Sequence, residues 1–231
     1  MKQVQQARLD ALHRMQAFMD ENADALGNVN KSRSRAALDD VLTQLEARAE
    51  AQGSAEVQAA GATADKNALR EDLRLHQMQP IAAIARATLA HTPLIAKLRL
   101  PSGKVNDSTL VQRGNAMADV ASQYRDVFIA EQLPADFIKQ LRASVEAVRK
   151  AAVSRDGFQV DVTEATQAVD DEMARAHNVV KVLNSLVVKQ LKGKSDLLAG
   201  WRRAKHAKAK PGVPQGTTGS VVPIGPKAVA A

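Results

Sequence analysis

The side chains best suited to metal binding or proton transfer near neutral pH are the five histidines, His13, His76, His91, His177 and His206. Helical proteins build di-iron centres from paired Glu-x-x-His motifs on facing helices, and none of these histidines has a glutamate three residues before it. Asp10 stands three residues before His13, and Asp72 four before His76. Each spacing is one helical turn, so these are expected to be surface carboxylate–imidazole pairs. A metal site would need further ligands. In the acid run Asp170-Asp171-Glu172, successive helical residues point in different directions and cannot chelate together, so a solvated helix face is expected. With no cysteine in the chain, disulfides, thiolate zinc sites and a cysteine nucleophile are excluded. Phosphate loops of the Gly-x-Gly-x-x-Gly or Gly-x4-Gly-Lys-Ser/Thr type are absent, as is the Gly-x-Ser-x-Gly nucleophile elbow. The expectation is therefore a non-enzyme, with no catalytic, metal or cofactor-binding residue and no small-molecule substrate to assign.

The chemistry that does stand out is electrostatic. Of 32 Lys and Arg, eight fall within residues 189–210: Lys189, Lys192, Lys194, Arg202, Arg203, Lys205, Lys208 and Lys210. Asp196 is the sole acid there, so this segment accounts for the whole formal charge of +7 and the rest of the chain is neutral. A positive field confined to one stretch makes these eight bases the candidate anion or nucleic-acid contacts. Aromatic residues are only 3% of the chain, too few for a base-stacking platform.

The elements that must hold this segment are helices. Apolar residues recur at three- and four-residue steps almost throughout. A first helix is expected over 2–26, ending at Gly27, and a second over 34–51, stopped by Gly53 and Ser54. Residues 54–78 are weaker because of Gly61, and Pro80 and Pro93 interrupt the next stretch. The loop Pro101 to Asp107 is the best candidate boundary between lobes. A helix over 109–132, capped by Asp107 or Ser108, comes after it. Pro134 opens another, whose Ile138, Leu141, Val145, Val148 and Ala152 form a coiled-coil-like seam closed by Gly157. The last long helix is expected from about Asp161 to Gly193, with Leu183 and Val187 on its buried face. No strand pattern or hairpin signal occurs. The expected fold is an all-α antiparallel bundle of about six helices over 1–193, a basic amphipathic helix over 194–210, and a disordered tail over 211–231, where four prolines and four glycines preclude a core.

Within the basic helix, Leu197, Leu198, Trp201 and Ala204 line up as an apolar stripe. Leu197, Leu198 and Trp201 are the candidate docking anchors. Three roles compete: docking of the stripe on the bundle with the bases solvated, an anion-binding arm for nucleic acid, or an anchor for a membrane surface or a partner helix. Leu198, Trp201, Ala204 and His206 spell Leu-x-x-Trp-x-x-Ala-x-His, preceded by Val182-Leu183-Asn184-Ser185-Leu186. This segment of about 25 residues resembles the C-terminal end of uncharacterised bacterial helical-bundle proteins, a resemblance that implies the fold and no activity. The N-terminus has no signal-peptide h-region, and no apolar run reaches the ~18 residues of a membrane span, so residence in the cytoplasm is expected. The preferred function is a structural or protein-interaction module with a protein partner or self-association. The alternative is a sequence-independent nucleic-acid-associated protein using residues 189–210.

Overall fold

The computed structural model describes residues 1–206; Lys208, Lys210 and the tail over 211–231 lie outside them. The described residues are all-α, with no strand. The α-helices are α1 (Gln3–Glu21), α2 (Ala23–Leu26), α3 (Arg33–Asp72), α4 (Gln79–Thr88), α5 (Asp107–Gln123), α6 (Arg125–Ala130), α7 (Phe137–Gln190) and α8 (Ser195–Lys205). Five helices of ten residues or more fall within 1–193, against about six expected, with α8 in the place of the basic helix, and they are not bounded where expected.

Gly53 and Gly157 do not stop helices. α3 runs 40 residues through Gly53 and Gly61, and α7 runs 54 residues through Gly157. A glycine inside a helix costs only about 0.5–1 kcal/mol relative to alanine. The helical turns that continue on either side, alanine-rich around Gly53, outweigh that cost. The expected stops at 51 and 157, and the expected start near Asp161, are thus replaced by continuous helix. Gly27 does end a helix, at φ 51°. Asn106, one residue before the expected caps, is the N-cap of α5, its side chain accepting from the Thr109 N–H at 2.7 Å. Pro80 sits in the first turn of α4, inside a helical stretch that continues from α3. The six-residue π turn Leu73–Met78 leads into it.

The chain forms two compact units. Among the described residues, the first comprises Met1–Leu45 and residues 172–206; the second comprises Glu46–Asp171. The core of the first is built from Leu12, Met15 and Met19 of α1, Leu38, Val41 and Leu42 of α3, Leu183 and Val187 of α7, and Trp201 of α8. Arg35 ties α3 to α1: it donates to Asp20 at 2.6 Å and also pairs with Asp39. Burial works against its charge, but the two carboxylates together hold its pKa above the ordinary guanidinium value.

In the second unit, a cluster containing Leu73, Met78, Ile81, Leu98, Leu110, Met117, Phe128, Phe137 and Leu141 forms the core. Phe128 and Phe137 pack with ring centres 5.4 Å apart. α5 approaches α7 so closely at Gly114 that an added Cβ would lie 2.5 Å from Val145 Cγ2. The loop over 101–107 lies inside this unit. Arg74 donates to the Pro101 and Gly103 carbonyls at 3.3 Å each, Arg70 to the Val105 carbonyl at 2.6 Å, and Lys66 to Asp107 at 3.0 Å. Beyond the core cluster, α3 and α7 continue as an antiparallel pair, joined by the Gln52 side chain donating to Thr166 Oγ1 at 3.0 Å.

Candidate functional site

α8 begins after a turn that only glycine takes comfortably: Gly193 has φ 86°. Asp196 lies in the first turn and Arg202, Arg203 and Lys205 in the last, so both ends match the helix dipole. The apolar stripe is turned inward. Trp201 is fully buried and Ala204 nearly so, while Leu197 and Leu198 are half-buried. Trp201 meets Phe18 of α1 with ring centres 5.7 Å apart. Gly200 lets the helices meet there, since a Cβ at that position would stand 3.0 Å from the Phe18 ring. The indole N–H of Trp201 donates to Asn184 Oδ1 of α7 at 3.1 Å, and Arg14 of α1 closes the far end by donating to the His206 carbonyl at 2.8 Å. Trp201 is thus a docking anchor within the first unit.

The basic residues divide accordingly. Lys189, Lys192, Lys194, Arg202 and Arg203 are exposed. Lys205 is not among them: it is half-buried, and its ammonium donates to the same Asn184 Oδ1 at 2.9 Å. Nothing in the sequence pattern marked Asn184 as the shared acceptor; its role comes from α8 folding back onto α7.

A cleft of about 400 Å³ lies beside Lys205, between α1 and the C-terminal part of α7. Its floor is apolar and its titratable lining side chains are Arg8, His177 and Lys205. Neither Arg8 nor His177 stood out in the sequence as part of a site, because helical spacing alone does not show which faces of distant helices meet.

Other titratable groups among the described residues form ion pairs at separate places. His76 pairs with Asp72 at 2.9 Å on an open surface, as the spacing predicts. Asp170 and Asp171 are exposed, but Glu172 is buried and accepts from Arg175 at 3.0 Å, so the acid run is not a uniformly solvated face. Arg175 also donates to Asp40 at 2.6 Å, and that hydrogen bond, more than the one to Glu172, raises its pKa. Among the described residues, no group of three or more His, Asp or Glu is placed to hold a metal, and no helix is long and apolar enough to cross a membrane.

Comparison with protein-family models, with curated proteins and with solved structures returned no significant match.

Proposed function

We propose that this chain is a non-enzymatic interaction module that pairs with a second copy of itself through the two-helix stretch of its second unit. The observation that carries this reading is a thin core. Between Val148 and Val169, α7 has no buried residue, and from 53 to 68 α3 has only Ala59. Val57, Val153 and Val160 are 73%, 66% and 56% exposed on these helices. A long helix takes most of its stability from packing of an apolar face, and a bare pair can cover only one stripe of each partner. Two such pairs related by a two-fold axis make a four-helix bundle.

A groove of about 570 Å³ runs along the pair, lined by Gly61, Ala62 and Asp65 from α3 and by Lys150, Ala151 and Phe158 from α7. One acid on one helix and one base on the other form a patch that complements itself across a two-fold axis. Sedimentation equilibrium tests the reading. The wild type is expected to be a dimer, and Ala151→Glu with Phe158→Glu a monomer of unchanged helicity. A wild type that stays monomeric at high micromolar concentration refutes it.

A second reading rests on the exposed bases. Docking of α8 through Trp201 holds Arg202 and Arg203 in fixed positions, with Lys189, Lys192 and Lys194 nearby in sequence. Such an array suits a polyanion without reading its bases. If all five contact phosphates, the log–log salt slope of nucleic-acid binding is about −4.5. Changing the five to Gln should abolish that binding. Failure of the wild type to bind DNA or RNA at low salt defeats this reading.

A further inference from the structure

We propose that the first unit carries a binding cleft for a single-chain anionic amphiphile, a fatty-acid-like carboxylate, between α1 and the C-terminal part of α7. The cleft, about 400 Å³, falls in the range of roughly 300–1,000 Å³ typical of small-molecule sites. Leu12 and Met15 of α1, with Met173, Ala176 and Val180 of α7, make it apolar. The two methionines are unbranched and adaptable, which suits a flexible chain better than a rigid ring.

The rim decides the charge of the occupant. Arg8, His177 and Lys205 line the cleft, and among the described residues no carboxylate does. A cationic amphiphile would meet like charge, and a neutral one would cover the basic groups without pairing them.

Lys205 adds an independent observation. It is half-buried, and its hydrogen-bond partner is the neutral Asn184 amide, not an acid. An ammonium held partly out of water beside an apolar cleft, whose partner among the described residues is an amide oxygen, has donors left for a carboxylate. A charge-assisted bond to that carboxylate is stronger than the one it makes to Asn184.

The same contact supplies a reporter. Asn184 Oδ1 accepts from both Lys205 and Trp201. A ligand that draws Lys205 toward its headgroup leaves Asn184 to the indole. Trp201 is the sole tryptophan of the chain, so its emission reports on that exchange. This cleft lies wholly in the first unit and the proposed self-association surface in the second, so the two proposals can fail separately.

The test titrates the full chain with dodecanoate below its micelle-forming concentration, followed by calorimetry and by Trp201 emission. Dodecanol and dodecyltrimethylammonium serve as neutral and cationic controls. Saturable one-to-one binding of dodecanoate with a change in Trp201 emission is expected. Binding should weaken about ten-fold for dodecanol and for Lys205→Gln, the loss of one charge-assisted bond, and should vanish for the cation. Val180→Phe, at the half-buried edge of the cleft, should block entry; unchanged helicity and melting confirm that each variant is folded. Lys205→Gln removes a partly exposed side chain and keeps the test open if Val180→Phe does not fold. The proposal is overturned if dodecanoate does not saturate, if dodecanol binds as tightly, or if Lys205→Gln binds dodecanoate like the wild type.

Discussion

Gly157 and Gly114 both lie inside helices, yet the same change to alanine should move stability in opposite directions. Gly157 is exposed within α7, and a Cβ built there has nothing within 4 Å. Alanine gains the difference in helix propensity, about 0.8–1.0 kcal/mol, with no steric cost. For a chain of this size that is a rise in Tm of about 2–4 °C. At Gly114, Cβ would lie 2.5 Å from Val145 Cγ2, far inside van der Waals contact. Overpacking of this kind costs about 1–3 kcal/mol, which cancels or exceeds the propensity gain, so Gly114→Ala should leave stability equal or lower by up to about 2 kcal/mol. Adding Val145→Ala to Gly114→Ala should recover part of that loss. Urea unfolding followed by circular dichroism measures all four proteins. If Gly157 instead ended one helix and began another with a left-handed turn, alanine there would be strained and destabilising. A lowered midpoint for Gly157→Ala would therefore refute the continuous α7.

The remaining predictions concern packing in each unit. Leu183→Ala removes a fully buried side chain and should cost about 2–5 kcal/mol; Ile138→Ala, at a half-buried position beside the second core, should cost clearly less in the same urea assay. Trp201, fully buried against Phe18, should emit at short wavelength and resist acrylamide quenching in the free protein; exposed-indole emission would undo the docking of α8. Arg35→Met keeps the aliphatic stem and leaves Asp20 and Asp39 without their shared cation. Because both acids are about half exposed, the expected loss is about 1–2 kcal/mol, well short of a fully buried pair. A neutral outcome in thermal melting would show that the pair adds nothing to the packing of α1 on α3.

Helical class was already legible in the chain, because the 3.6-residue period of apolar positions and the scarcity of strand signals act locally. So was the inward stripe of the last long helix, where Leu183 and Val187 are fully buried, and so was the collection of the net charge into residues 189–210. Helix ends were legible where backbone geometry demanded a residue type, since Gly27 and Gly193 take positive φ, whereas the cap of α5 fell on Asn106 and not on Asp107 or Ser108, because neighbouring Asn, Asp and Ser are all able to cap. They were not legible at Gly53 and Gly157, because a glycine in helical geometry has the same spelling as one in a left-handed turn. Only the folded chain decides between them: the helical turns on both sides continue through each glycine, against a cost of roughly 1 kcal/mol. The eight bases could not be sorted from sequence either. Charge is a property of the residue, but exposure is a property of the fold, and Lys205 was drawn to Asn184 when Trp201 turned α8 inward. The cleft of Arg8, His177 and Lys205 was invisible for the same reason: its walls come from positions 8–15, 173–180 and 205, and no local pattern links residues that meet only when the chain folds back on itself.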